Sequence, residues 1–333
     1  MLDLRRRQFI TLLGGAAAAW PLAARAQRSE RTPRIGVLMP YAENDPEAQP
    51  RVTALRQGLA QLGWTEGRNV RVEYRWSGSD AASIRTLARE LVELQPDVIL
   101  TESTPVTAAA LHETRTIPIV FVQVGDPVGS GFVASFPRPG GNATGFNNMP
   151  LTMTGKWLEL LLEVVPRTVR VMFLFNPPTA PYAQRFFEPF KAAAASIGVE
   201  AVASPAHDAA EIEAAIAAFA REPDGGLIVL PSAFMLTHRD AVIALAARHR
   251  LPAVYPFKYY AESGGLISYG NVIPDAYRQA ATYLDRILRG AKPTDLPVQS
   301  AVKFELVVNV KTAKAMGLAI PESFLVRADE VIE

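Results

Sequence analysis

An alternation that occurs twice governs how this chain can fold. From Arg34 onward, short apolar runs of strand length alternate with periodic segments of helix length. In the first half the runs are 35–39, 70–74, 97–100, 117–122 and 143–146, with helix-like segments near 53–62, 81–94 and 106–114. The second half repeats the order with runs at 170–175, 199–202, 226–230, 251–255 and 266–269, about 125–135 residues further on. The punctuation repeats as well, because Leu62-Gly63 and Ile197-Gly198 each close a first helix before a second strand. Strands alternating with helices form a parallel sheet covered by helices on both faces.

The expected fold is therefore α/β, with two doubly wound parallel-sheet lobes joined by a hinge. Ligands of open α/β sheets bind outside the carboxyl ends of the strands, so a cleft between the lobes is the expected site. The helix from Ala276 to Leu288 and the run Phe304-Glu305-Leu306-Val307-Val308 follow both strand sets, so the tail should cross back between lobes. The expected division is residues 27–150 with 270–296 in lobe 1, and 151–269 with 297–333 in lobe 2. A chain of 333 residues, 49% hydrophobic and 20% charged, has the length and apolar content for two cores.

The first 26 residues follow other rules. Arg5, Arg6 and Arg7 precede an apolar stretch from Phe9 to Ala24 that is rich in Gly and Ala, and Ala24-Arg25-Ala26 closes it. A basic segment, an apolar segment and an A-x-A site make a cleaved secretory signal, too short for the roughly 20 residues of a spanning helix. Arg6-Arg7-Gln8-Phe9-Ile10 is similar to the twin-arginine export signal, which places the mature protein in the periplasm. Cleavage removes four Arg and one Asp from 34 basic and 33 acidic residues, so the formal net charge falls from +1 to −2. With no basic tract left, neither nucleic acid nor an anionic membrane surface is an expected partner.

Several chemistries are excluded by what is missing. The sequence has no Cys, which removes disulfides, thiolate nucleophiles, Cys-held metals and cysteine lipidation. Neither G-x-G-x-x-G nor G-x-x-x-x-G-K-[ST] occurs, and Ser130 lacks the strand-to-helix setting of a nucleophile elbow. The four histidines, His112, His207, His238 and His249, share no metal-ligand spacing and read as solvated helix residues. No cofactor, no metal and no catalytic residue are expected, and the chain reads as a binding protein.

Candidate ligand-binding residues stand after the strands. Ser103 and Thr104 open a helix with Pro105 in its first turn, which suits a carboxylate, although either would also serve as a plain N-cap. Asp126, in Gly125-Asp126-Pro127, either points into the cleft or caps its own turn. Tyr41 and Asn176 follow the first strand of each half, while Ser232, Phe234, Phe257, Tyr259, Tyr260 and Tyr269 add hydroxyls and rings in the second. Rings in such a cleft fit an aromatic or amphipathic ligand, and inter-lobe packing accounts for some of them equally well.

A set of motifs spread over the mature chain makes a family resemblance specific. These are Gly63-Trp64-Thr65-Glu66-Gly67-Arg68-Asn69-Val70, Gly125-Asp126-Pro127-Val128, 138–145 (RPGGNATG), 156–161 (KWLELL), 264–270 (GGLISYG), 303–309 (KFELVVN) and 311–318 (KTAKAMGL). The chain resembles the ABC transporter substrate-binding proteins whose relatives include tryptophan-binding and other aromatic amino acid-binding lipoproteins. The resemblance implies a type I periplasmic binding fold that closes on a small solute. It also implies delivery to an inner-membrane permease with cytoplasmic ATPases. Two positions depart from the family pattern: Glu102 in Thr101-Glu102-Ser103-Thr104-Pro105 replaces a glycine, and Ser232 in Pro231-Ser232-Ala233-Phe234 replaces an aspartate. A carboxylate at 232 would suit a ligand ammonium, which a serine cannot match in charge.

The reading these features favour is a monomeric periplasmic receptor for a small carboxylated, aromatic or amino-acid-like solute. Ser103 and Thr104 would hold the carboxylate, Asp126 a donor group, and Tyr41, Phe234 and Tyr269 the apolar body, with Asn176 and Ser232 beside them. Two alternatives are an exported enzyme on the same scaffold, told apart by turnover, and a receptor that signals through a membrane sensor, told apart by the absence of a neighbouring permease gene.

Overall fold

The structure, a computed structural model, describes residues 31–333, so the signal expected over residues 1–26 lies outside the described residues. Six strands build the first sheet: β1 (Arg34–Met39), β2 (Arg71–Trp76), β3 (Val98–Glu102), β4 (Ile119–Val124), β5 (Ala143–Asn147) and β11 (Gln299–Ser300). Their order is β11-β5-β4-β3-β1-β2, and every pairing is parallel. The second sheet takes β6 (Arg170–Phe175), β7 (Glu200–Pro205), β8 (Gly225–Val229), β9 (Ala253–Tyr255), β10 (Ile267–Asn271), β12 (Phe304–Asn309) and β13 (Glu330–Ile332). It is ordered β13-β12-β10-β9-β8-β6-β7, with β10 and β12 antiparallel. Within each sheet the first five strands of the lobe follow the 2-1-3-4-5 order of doubly wound folds.

Both faces of each sheet are covered, which explains why the strands read as continuous apolar runs. In β1, Ile35, Val37 and Met39 join the core beneath α1 (Ala48–Gln61) and α10 (Ile273–Leu288). Leu38 points the other way, to the core with α2 (Ala81–Glu93) and α3 (Thr104–Glu113). In β6, Met172 and Leu174 take one face, while Val171, Phe173 and Phe175 pack with α4 (Met153–Val164) and α5 (Ala183–Ser196) on the other. Each fully buried Leu, Ile or Phe of this kind contributes about 1.5–3 kcal/mol relative to exposure.

Helix ends follow from local chemistry. Asp80 accepts the Ser83 N–H at 2.7 Å to start α2, and Asp208 accepts the Glu211 N–H at 2.8 Å to start α6 (Ala209–Phe219). Gly63 and Gly198, at φ +91° and +75°, stop α1 and α5 in the same way in both lobes. Each donates its N–H to a carbonyl in the last turn, and the next residue, Trp64 or Val199, donates to Leu59 O or Ala194 O at 2.9 Å. This is a Schellman stop, which favours glycine because other side chains strain at positive φ.

The motifs that carry the family resemblance hold the frame together. Trp157 in α4 donates its indole N–H to Tyr269 O at 2.7 Å, tying that helix to β10. Asn309 caps α11 (Val310–Met316) and donates Nδ2 to Ala261 O at 3.0 Å. Trp64 Nε1 reaches Asp285 of α10 at 2.8 Å, and Asn69 closes its own loop on Gly63 O at 2.8 Å.

The chain passes between lobes three times: after β5, at Val272, and between β11 and β12. The last two passages are bonded to each other, Val272 N–H to Lys303 O at 3.1 Å. The tail therefore passes from the second sheet to the first and back, and two boundaries lie elsewhere than the sequence suggests. Gly270 and Asn271 still belong to β10 of the second sheet, where they pair with Glu305 and Phe304. Gln299 and Ser300, expected in lobe 2, pair with Phe146 and Asn147 of β5, because the chain leaving α10 first runs along the edge of the first sheet.

Candidate ligand-binding site

The carboxyl ends of β1, β3 and β4 in the first lobe face the loops after β6, β8 and β9 in the second, and a cavity of about 30 Å³ lies between them. That is room for about one or two waters. From the first lobe its wall takes Tyr41, Arg51, Glu102, Ser103, Thr104 and Gln123. The second lobe contributes Thr179, Tyr182, Ser232, Leu236, Phe257 and Tyr259.

Ser103 and Thr104 stand side by side at the amino end of α3. Ser103 precedes α3 at φ +78°, a region few non-glycine residues enter, and its side chain makes no capping bond. Its main chain is fixed by Ser103 N–H to Val122 O at 3.1 Å, and its carbonyl accepts the Thr107 hydroxyl at 2.8 Å. The Ser103 and Thr104 hydroxyls are buried and have no hydrogen-bond partner among the described residues. Gln123, at the end of β4, repeats the pattern: φ is +55°, and both ends of its buried side-chain amide are unpartnered. Buried polar groups are nearly always satisfied and strained backbone gathers at functional sites, so these three residues mark a place where a polar ligand group fits.

Beside them lies a charged network. Glu102, 4% exposed, accepts the Tyr41 hydroxyl on Oε1 at 2.7 Å and the Tyr277 hydroxyl on Oε2. Arg51, 2% exposed, stands 3.5 Å from Glu102 and 3.1 Å from Glu47, with its guanidinium 4.9 Å above the Tyr41 ring. Burial pushes the Glu102 carboxyl above the usual range, opposed by Arg51 and the two hydroxyls. Burial also drives the Tyr41 and Tyr277 hydroxyls up, so both remain donors.

Phe257 and Tyr259 among the rings noted in the sequence line the cavity, and of the eight residues assigned there to the ligand Tyr41, Ser103, Thr104 and Ser232 do too. Tyr41 does so as the partner of Glu102, and Ser232 also caps α7 (Ala233–Thr237) by accepting the Met235 N–H at 3.2 Å. The other four do not line it. Asp126 accepts the Gly129 N–H at 2.9 Å and pairs with Arg185 at 3.0 Å, so it caps its turn instead of offering a carboxylate to a ligand. Asn176 donates to Ala206 O at 2.8 Å and accepts from the Thr179 N–H and hydroxyl, so it positions Thr179 rather than facing the cleft. Phe234 packs on His238 at 4.2 Å between rings, and Tyr269 stacks on Phe304 at 5.9 Å.

Sequence reasoning missed Arg51, Gln123 and Tyr277. One signal was available: Arg51 lies on the same face of α1 as Leu55 and Gly58, where an unpaired charge is rare. Among the described residues no group of three or more His, Asp or Glu is placed to hold a metal, and no helix is long and apolar enough to cross a membrane.

Comparison with known proteins places this geometry. A crystal structure of a conserved domain protein from Vibrio cholerae O1 biovar eltor is 30% identical, covers 90% of this chain and 100% of its own, and superposes with a TM-score of 0.84. The ABC domain from Streptococcus pneumonia in complex with L-Trp has the same fold, at 24% identity, 91% and 100% coverage and a TM-score of 0.83. The tyrosine-binding protein of Clostridioides difficile is 24% identical over 263 residues, 79% of this chain and 75% of that protein. The sequence model of the ABC transporter substrate binding proteins matches residues 39–332, and the chain belongs to that family.

Proposed function

We propose that this protein is the periplasmic receptor of an ABC importer and that it binds a small amino-acid-like carboxylate, aromatic amino acids first, in the cleft between its lobes. The observation that carries the reading is the group of unpartnered buried donors at the strand ends: Ser103 Oγ, Thr104 Oγ1 and the Gln123 amide. Hydroxyl donors beside the amino end of the ten-residue α3 stabilise a carboxylate through hydrogen bonds and the helix dipole together. Tyr182, Phe257, Tyr259 and Leu236 supply apolar walls for the rest of the molecule. The tyrosine-binding relative and the L-Trp complex of a structural neighbour support the aromatic class.

A solute larger than a few waters needs the lobes to part, which fits a receptor that opens and closes about the three inter-lobe passages. Delivery to a membrane permease with its ATPases follows from the family. Residues 1–26 supply the export route, cleaved after Ala26.

The deciding experiment is a thermal-shift and calorimetric screen of the purified protein against aromatic, branched and acidic amino acids, aromatic acids and sugars. A ligand present at 100 times its Kd stabilises by about 2.7 kcal/mol. Selective stabilisation by aromatic amino acids is the expected result. Stabilisation by sugars alone, or by none of these classes, would overturn the ligand class. Amino-terminal sequencing of protein from the periplasmic fraction, beginning at Gln27, checks the export route.

A further inference from the structure

Arg51 and Glu102 are the two charged side chains on the cavity wall. Their local charge does not balance. Arg51 has Glu47 at 3.1 Å and Glu102 at 3.5 Å, one cation between two carboxylates, so the cluster carries a net charge of −1 beside the cavity. Each Glu102 oxygen accepts one tyrosine hydroxyl, from Tyr41 and from Tyr277, and a carboxylate oxygen has room for a second donor.

Position matters as much as charge. An α-amino acid carries its ammonium and its carboxylate on one carbon, so a site that reads both needs an acceptor next to its donors. Glu102, Ser103 and Thr104 are consecutive at the end of β3. No other carboxylate stands on the wall: Ser232 of the facing lobe is neutral and caps its helix, and Asp126, in the same lobe as Glu102, is held by Arg185 outside the cavity.

We propose that Glu102 is the acceptor of the ligand's α-ammonium and makes this cleft select amino acids over their deaminated analogues. The inference rests on the reading that the cleft binds a small carboxylate through Ser103 and Thr104. With the ammonium in place, the charge of the Glu47–Arg51–Glu102 cluster is balanced, and the ligand carboxylate falls to the neighbouring hydroxyls.

The test is calorimetric titration of the purified protein with L-tyrosine and L-tryptophan, and with their deaminated counterparts, 3-(4-hydroxyphenyl)propionate and indole-3-propionate. The wild type should bind the amino acids at least about tenfold more tightly, the scale of one charge-assisted hydrogen bond. Glu102→Gln, which keeps the shape and an acceptor oxygen, should abolish that preference while leaving the propionates within about threefold of wild type. Equal binding of both series by the wild type, or equal weakening of both by Glu102→Gln, would overturn the role of Glu102 and leave the carboxylate site standing. Binding of neither series would overturn both readings. If the Gln variant loses its thermal transition, the wild-type ratio decides alone, a ratio under about threefold being the overturning result.

Discussion

Asp126 of the first lobe and Arg185 of the second meet across the lobe interface, Oδ2 to Nη1 at 3.0 Å. Gly129 makes room for the pair, because a Cβ there would stand 2.0 Å from Asp126 Oδ2 and 2.7 Å from Arg185 Nη1. A second bridge, Asp45 to Arg239 at 3.4 Å, joins the loop after β1 to the first residue of α8 (Arg239–Arg248). Both pairs exist only when the lobes are together, so both bias the hinge toward closure.

Removing these latches should open the unliganded protein. Arg185 is half exposed, so its pair is worth about 0.2–1 kcal/mol, and the more buried Arg239 pair sits at the upper end of that range. In the Arg185→Gln/Arg239→Gln double variant, X-ray scattering should show a larger radius of gyration without ligand, and affinity should fall by no more than about thirtyfold. An unchanged scattering curve would show that closure does not depend on the pairs.

The strand-end hydroxyls separate binding from folding. Ser103→Ala/Thr104→Ala should weaken binding of L-tyrosine or L-tryptophan by about 1–3 kcal/mol, the value of hydrogen bonds to a charged group. The unliganded Tm should hold or rise, because two buried hydroxyls without partners cost stability. Unaltered affinity, or a large drop in Tm, would assign these residues to the fold.

Two glycines of the family motifs are required by space. A Cβ on Gly145 would lie 2.0 Å from Phe121 O, and one on Gly270 would lie 1.6 Å from Pro256 O. Main-chain atoms cannot swing aside as side chains do, so Gly145→Ala and Gly270→Ala should each destabilise by about 3 kcal/mol or more in denaturant titrations. Gly141→Ala, with nothing within 4 Å of its Cβ, should change stability by less than about 0.5 kcal/mol.

Glu102 also sets a pH dependence. Burial raises its carboxyl above the ordinary carboxylate value of 4.5, so the folded state holds this proton more tightly than the unfolded chain. Its contribution to stability is therefore full below about pH 4.5 and is lost as pH rises through the higher folded value. The Tm of wild type minus that of Glu102→Gln, followed from about pH 4 to about pH 8, should fall as pH rises. A difference that grows with pH would mean that Arg51 and the tyrosines outweigh burial.

The frame was legible along the chain because sheet and helix periodicities are local records of burial. Ile35, Val37 and Met39 alternate with Gly36 and Leu38, and each face of the sheet accounts for one set. The place of Ser103 and Thr104 on the cavity wall was legible for a similar reason: they follow a strand, and the doubly wound order puts that strand end at the cleft. Asp126 and Asn176 shared those marks of position, yet each is occupied by a partner that only folding brings near, Arg185 for one and Ala206 O for the other.

What the amino-acid order determined by itself is therefore the two-lobed α/β frame, its repeated helix stops and the polar strand end of the first lobe. The family motifs belong to the same class, since Trp157, Asn309 and Gly270 do scaffold work. Only the tertiary structure decided which polar groups are left unpartnered and which are already held. Tyr41, Arg51, Glu102 and Tyr277 lie far apart along the chain and meet because α1 and α10 pack on the same face of the first sheet. Hydrogen bonding and ion pairing act over a few ångströms, and that proximity is a property of the packed lobes, which no local pattern encodes.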